Sequence, residues 1–478
     1  MPQMKMRKYL LATALVGLGS APTIAADLAA RPYTKAPALA AVYDWTGFYI
    51  GVNAGVGLGR DRFQHDWLGE EGIYSFYTSP QGGFGGGQIG YNWQTGSMLG
   101  PIVLGVEADI QGAGLSDDRT NFVIGTSKTT YGQKLDWFGT ARGRIGIANG
   151  PVLSYVTAGY AVGNVKTNAT QAAAPFAAAF STERTQSGWV VGSGVEAALG
   201  GNWTGKIEYL YLNLGNKTDI STLLVPTPIN TEIRENIFRV GLNYRIGGKA
   251  YAPVVAANWA GFYLGGNFGS GTGRDRSSLN LPAAGIVETF NLAPDGINGG
   301  VQAGYNWQAA NWVFGLEADI QGSTQKDDKT CVVFCLPSSI PGGVRAAYDA
   351  TLPWFGTVRG RLGYSVGSTL FYATGGLAYG SINTKINTSS FVGPVTQSFS
   401  HTNAGWTVGA GIETPFTLLG LLGPNWTTKA EYLYVDLGST SDSFVFGATP
   451  ATATRSVTEH VFRTGINYHF NSPVVAKY

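Results

Sequence analysis

Charged side chains are scarce in this chain, 13% of its residues, and many of them stand two positions apart. Glu107 and Asp109, Arg142 and Arg144, and Lys206 and Glu208 do so in the first half, with Glu196 and Arg239 nearby in sequence. Glu317 and Asp319, Arg359 and Arg361, and Lys429 and Glu431 repeat the pattern in the second half, joined by Glu413 and Arg463. Residues two apart on a β-strand point to the same side, so each pair delivers two charges into one space. Four carboxylates against four cations in each half, with Arg245 a fifth cation in the first, are near-equal counts of opposite sign, as ion pairing needs. In an enclosed space that balance is required, because an unpaired buried ion costs several kcal/mol. The expected role of these sixteen residues is structural.

Other chemistries find less support. The four histidines, His65, His401, His460 and His469, are not spaced as a metal pair, and none sits beside a serine in both halves as a hydrolase would need. No metal or cofactor is expected. Gly85-Gly-Gly lacks the strand–loop–helix setting and the Lys-Ser/Thr of a phosphate cradle. Asp61-Arg62, Asp275-Arg276, Asp117-Asp118 and Asp327-Asp328 read as solvated rim charges, with cation bridging between lipopolysaccharide phosphates as the alternative. The formal net charge of +2 supplies no basic field for nucleic acid.

The elements that position the paired charges are strands. In 103–111, Leu104, Val106, Ala108 and Ile110 oppose Glu107, Asp109 and Gln111. In 203–213, Trp203, Ile207, Tyr209 and Tyr211 oppose Lys206 and Glu208; in 237–246, Phe238, Val240, Leu242, Tyr244 and Ile246 oppose Arg239, Asn243 and Arg245. Phe462, Ile466, Tyr468 and Phe470 oppose Arg463, Asn467 and His469 in the same way. An apolar outside and a thin, charge-paired inside is the alternation of a barrel strand facing lipid.

The chain is also written twice. Asp44-Trp-Thr-Gly-Phe-Tyr-Ile-Gly-Val-Asn53 returns as Asn258-Trp-Ala-Gly-Phe-Tyr-Leu-Gly-Gly-Asn267, and Gly90-Tyr-Asn-Trp-Gln94 as Gly304-Tyr-Asn-Trp-Gln308. Gly105-Val-Glu-Ala-Asp109, Trp137-Phe-Gly-Thr-Ala-Arg-Gly-Arg144 and Phe238-Arg-Val-Gly-Leu-Asn-Tyr244 recur in the same order. Eight matching segments per copy alternate with long, divergent gaps (61–82, 113–134, 164–186, 216–235) and short ones, as long outer loops and short periplasmic turns do in an outer-membrane barrel. The predicted fold is all-β: two tandem eight-stranded antiparallel up-and-down transmembrane barrels.

Composition agrees. Glycine reaches 69 residues, aromatics 12% and hydrophobic residues 44%, without a run of about 20 apolar residues that could span a bilayer as a helix. Residues 1–26 carry Lys5, Arg7 and Lys8, a short apolar core from Leu10 to Leu18 and a small-residue end at Ala25-Ala26, the layout of an export signal. A periplasmic leader (27–44), a first barrel (45–247), a linker (248–258), a second barrel (259–470) and a tail (471–478) follow. Cys331 and Cys335 fall in a long gap of the second copy, and export through an oxidising compartment predicts a local disulfide between them.

Taken together, the Trp-x-Gly-Phe-Tyr opening, the Gly-Tyr-Asn-Trp-Gln and Trp-Phe-Gly-Thr-x-Arg-Gly-Arg strands and the Phe-Arg-x-Gly-x-Asn-Tyr ending resemble the porin-like outer-membrane β-barrels of rhizobia and Brucella. That resemblance implies small eight-stranded barrels, often surface antigens, in the outer membrane of a Gram-negative cell. The expected partners are outer-membrane lipid and lipopolysaccharide, the barrel-assembly machinery, and host or phage surface molecules met through loops. The expected function is that of a structural, surface-exposed protein with narrow or plugged lumens. A single sixteen-stranded porin, a loop-mediated adhesin and a lipid-modifying enzyme are the alternatives.

Overall fold

The computed structural model describes residues 43–65, 74–96, 101–124, 127–173, 176–222, 226–248, 257–329, 345–390, 393–416, 422–446 and 449–470. The export signal, most of the leader and linker, the tail, and Cys331 and Cys335 lie outside the described residues.

The first copy contributes β1 (Gly47–Gly59), β2 (Asp61–His65), β3 (Tyr74–Thr78), β4 (Gln81–Thr95), β5 (Ile102–Ile124), β6 (Ser127–Asn149), β7 (Val152–Ala173), β8 (Phe176–Gly200), β9 (Trp203–Ser221) and β10 (Thr227–Ile246). The second contributes β11 (Gly261–Gly273), β12 (Asp275–Leu281), β13 (Ile286–Leu292), β14 (Asp295–Ala309), β15 (Trp312–Lys329), β16 (Arg345–Val366), β17 (Thr369–Ser390), β18 (Gly393–Pro415), β19 (Trp426–Phe446) and β20 (Thr449–His469). Each copy closes on itself. β1 pairs antiparallel with β10 from Phe48↔Ile246 to Gly59↔Glu235, and β11 pairs with β20 from Tyr263↔His469 to Gly273↔Glu459. Each ring holds eight strands, with β2–β3 or β12–β13 added as a hairpin on the outer part of β10 or β20. β10 and β11, consecutive in sequence, do not pair, and this closure rules out the single sixteen-stranded barrel.

Closure satisfies the backbone polar groups that lipid cannot, and side-chain period two does the rest. Phe48, Ile50 and Val52 point outward from β1 while Tyr49 and Asn53 point inward and are buried. Aromatic pairs mark the two edges of the apolar band. Trp203–Tyr244 and Trp426–Tyr468 sit at the periplasmic end, Trp189–Tyr211 and Trp406–Tyr434 at the outer end. From Trp203 to Tyr211 the strand covers roughly 26 Å at ~3.3 Å per residue, on the scale of the apolar band of such barrels, about 25 Å.

The gaps expected as long loops are largely strand. β5 and β6 continue as a ladder from Leu115↔Leu135 to Ile124↔Ser127, and β7–β8 and β9–β10 rise in the same way. Pairing persists because backbone donors and acceptors are cheaper to satisfy in a continued ladder than in open loops. The strands bend where they leave the bilayer. Gly215 and Gly438 adopt positive φ at matching bulges, with their N–H groups held by Asn213 Oδ1 (2.7 Å) and Asp436 Oδ1 (2.8 Å).

Candidate functional site: two filled lumens and the seam between them

Each lumen is filled in three layers. At the periplasmic end Trp45, wholly buried, donates from Nε1 to Gly150 O (3.1 Å) and packs with Tyr43, Val103 and Leu153. Trp259 occupies the same place in the second barrel, against Val313, Leu370 and Tyr372. The tryptophan of the repeated Trp-x-Gly-Phe-Tyr motif is thus a stopper.

The middle layer collects the paired charges. In the first barrel Arg142 reaches Asp109 (2.8 Å), Glu208 (3.1 Å) and Glu107. Arg239 spans Asp109 (3.0 Å) and Glu208 (2.5 Å), Lys206 Nζ lies 2.9 Å from Glu107, and Arg144 pairs with Glu196 (3.0 Å). Tyr49 and Tyr155 donate hydroxyls to Glu107 and Glu208, each at 2.8 Å, and Thr140 donates to Asp109 (2.8 Å). The second barrel repeats the arrangement. Arg359 meets Asp319 and Glu431, both at 3.0 Å, and also Glu317; Arg463 meets Asp319 (2.8 Å) and Glu431 (2.6 Å). Lys429 Nζ lies 2.9 Å from Glu317 and Arg361 2.7 Å from Glu413. All sixteen charged residues read from the sequence are therefore gathered into these two layers. Arg245 stands apart, donating to Asp44 O, and its counterpart His469 touches Glu413 (3.3 Å).

Above the charges the bore turns apolar, a layer the sequence reading did not single out. Phe84, Leu115, Leu135, Phe138, Leu210 and Leu212 close the first barrel. Leu352, Phe355, Leu433, Val435 and Val461 close the second. The signal was present, since Leu210 and Leu212 continue the inward register of Lys206 and Glu208. Lumen tyrosines also need glycine on the next strand: a β-carbon at Gly90 or Gly304 would collide with the ring of Tyr49 or Tyr263.

The barrels meet along a self-complementary seam. Tyr209 stacks on Phe462 (centroids 5.6 Å, 18°), and reciprocally Phe238 packs on Tyr432 (5.3 Å). Because Tyr209 corresponds to Tyr432 and Phe238 to Phe462 in the repeat, this is an isologous contact. Val195 and Ile207 join it from one side, Ile412 and Ala430 from the other. Ile207, Tyr209, Phe238 and Phe462, expected on the lipid face, thus face the other barrel. The Tyr209 hydroxyl donates to Asn236 Oδ1 (2.7 Å) and also meets Ser270 across the seam, and the Tyr432 hydroxyl lies against His460 Nδ1 (2.6 Å).

Above the outer aromatic edge the seam becomes polar. Arg60 of the first barrel reaches Asp327 of the second (2.9 Å) and lies 4.0 Å from Asp295, while Asn291 donates to Asp117 (3.2 Å). Of the aspartates expected as solvated rim charges, Asp61, Asp117, Asp275 and Asp327 are buried instead. Asp61 accepts from the Arg234 N–H (2.7 Å), and Asp275 is clamped by Arg455. Glu235 is fully buried with both carboxylate oxygens lacking a hydrogen bond. Burial pushes Asp61, Glu235 and Glu459 well above the usual carboxylate range, and raises Asp295 to about 6 despite Arg274 and Arg60 nearby. Among the described residues no cluster of three or more His, Cys, Asp or Glu is placed to hold a metal ion.

A closed eight-stranded ring, apolar outside between aromatic edges and charge-filled inside, defines each half as a transmembrane β-barrel of the outer-membrane kind. The family model described as the outer membrane protein beta-barrel domain matches residues 11–245 and again 247–470, and the chain belongs to this family. One relative is the 31 kDa outer-membrane immunogenic protein of Brucella melitensis biotype 1, 36% identical over 225 residues, 46% of this chain and 87% of the relative. Another is the 22 kDa outer membrane protein of Rhizobium leguminosarum bv. viciae, 37% identical over 193 residues, 39% of this chain and 69% of the relative. Among solved structures, Neisserial surface protein A covers 44% of this chain and 98% of its own at 14% identity, with a TM-score of 0.21. These relatives match about half of this chain, the length of one copy. The protein resides in the outer membrane.

Proposed function

We propose that this chain is a structural, surface-exposed protein of the outer membrane, neither a diffusion channel nor an enzyme, whose contact surface is the set of strand extensions and loops beyond the bilayer. The observation that carries this reading is the filling of both bores by a tryptophan stopper, a balanced ion-pair layer and an apolar layer in series. Phe84, Phe138, Leu210 and Leu212 pack together in one buried cluster above the charges, which supports a closed bore. The charges that could have lined a pore are instead spent on one another, which suits a rigid post better than a conduit. Such a post would present its outer ladders to lipopolysaccharide and to whatever meets the cell. Planar-bilayer recording of the purified full chain tests the proposal. No large stable conductance is expected, and a reproducible open channel would overturn it.

A further inference from the structure

The seam does not close evenly. Toward its periplasmic end it opens into an apolar groove of about 580 Å³ between the barrels. Ile145 and Ile147 of β6, Val156 of β7 and Val195 of β8 form one wall; Ala430 of β19 and Phe462 of β20 belong to the other. Phe416 and Pro415 close the lower end, where Asn149 Nδ2 donates to Pro415 O across the seam (2.7 Å). The reciprocal aromatic stack of Tyr209 and Phe462 bounds it above.

The lining selects against polar occupants. No acid or base lines the groove; its one titratable group, Tyr155, turns its hydroxyl to Glu208 in the lumen. Thr428 and Thr464 already donate to backbone carbonyls, Gly465 O (3.2 Å) and Lys429 O (3.1 Å), so these hydroxyls ask for nothing from a ligand. Water would find few partners there, and an empty apolar cleft forfeits its contacts. The volume falls within that of small-ligand sites, roughly 300–1,000 Å³. Depth names the occupant. The groove runs from the level of the periplasmic turns to mid-membrane, and its outer wall, Ile145, Ile147 and Val156, is continuous with residues that face lipid.

We infer that the groove holds an acyl chain of one phospholipid from the periplasmic leaflet, retained as a wedge between the barrels. The inference rests on the outer-membrane residence established above. The lipid lies along the strands, its tail against Val195 and Ala430 and its head at the level of Asn149.

The test uses the full chain, first recovered from the outer-membrane fraction so that mislocalisation and an empty groove give separate results. After purification in mild detergent, lipid extraction and mass spectrometry should find one phospholipid per chain. Val156→Trp and, independently, Ile145→Trp fill the groove from its open wall; each should lower retention about tenfold while the chain still migrates as a compact, heat-modifiable species. Leu316→Trp, on a lipid face of the second barrel away from the seam, should leave retention unchanged. Loss of lipid in neither groove variant, equal loss in the Leu316 variant, recovery of lipid A instead, or no bound phospholipid in the unaltered chain would each overturn the inference.

Discussion

The lumens and the rim of the seam solve the same problem with opposite results. In each lumen four carboxylates and four cations are interleaved so that every carboxylate has a cation within 3.1 Å. At the rim, Arg60 and Arg274 are surrounded by Asp61, Glu235, Asp295, Asp327 and Glu459, and neither carboxylate oxygen of Glu235 has a hydrogen bond. The lumen layer appears in both copies because one barrel alone must balance it. The rim cluster draws acids and arginines from both barrels, and burial pushes Asp61, Glu235 and Glu459 above the usual carboxylate range. Charge inside one barrel is a condition of folding; charge between barrels is a condition of association.

The largest expected effect is therefore in the lumen. Arg142→Ala removes a cation shared by Glu107, Asp109 and Glu208, leaves the buried layer one negative charge in excess and should cost about 3–5 kcal/mol, read as a shift in the urea midpoint of the refolded chain. Glu235→Gln, replacing a buried carboxyl whose oxygens have no hydrogen-bond partner, should leave that midpoint unchanged or raise it; similar losses in the two variants would abolish the distinction. Next in size, Val106→Arg on the lipid face near mid-membrane should cost about 2–4 kcal/mol in the same titration.

The seam's own packing is smaller. A double-mutant cycle on Tyr209→Ala and Phe462→Ala should return a coupling of about 0.5–1.5 kcal/mol, whereas Tyr209 with a residue outside the seam, such as Leu316, should show none. The remaining effect is one of pH. Asp295 carries a raised value of about 6, so the native chain binds more protons than the unfolded one between about pH 4 and 6. Stability is thus full below that window and falls as pH rises through it. The urea midpoint of the refolded chain should fall from about pH 4.5 to 7.5, and less so in Asp295→Asn; a rise would contradict the assignment.

How much of this was legible in the sequence follows from the same contrast. Strand period two placed Glu107, Asp109, Arg142 and Lys206 on one side, and the eight repeated segments supplied both strand number and duplication. The closure of each copy was legible only as a balance of charge. The seam was not legible, because a tyrosine or phenylalanine that faces lipid and one that faces another barrel satisfy the same requirement. Tyr209 and Phe238 are indistinguishable from Tyr244 and Val240 until the second barrel is in place. Asp61 and Asp275 misled for a related reason: a rim aspartate reads as solvated unless the hairpin and strand that cover it are known.

The reciprocity of Tyr209 with Phe462 and of Phe238 with Tyr432 carries one more consequence. Separate barrels bearing this patch would find one another by diffusion in the plane of the membrane, and the paired fraction would track their abundance. With both patches in one chain, encounter becomes intramolecular and is governed by an effective concentration fixed by the tether. Pairing is then independent of expression level, and each copy is free to change its outer ladders without losing its neighbour. A duplicated gene product of this kind behaves as a dimer that dilution cannot separate.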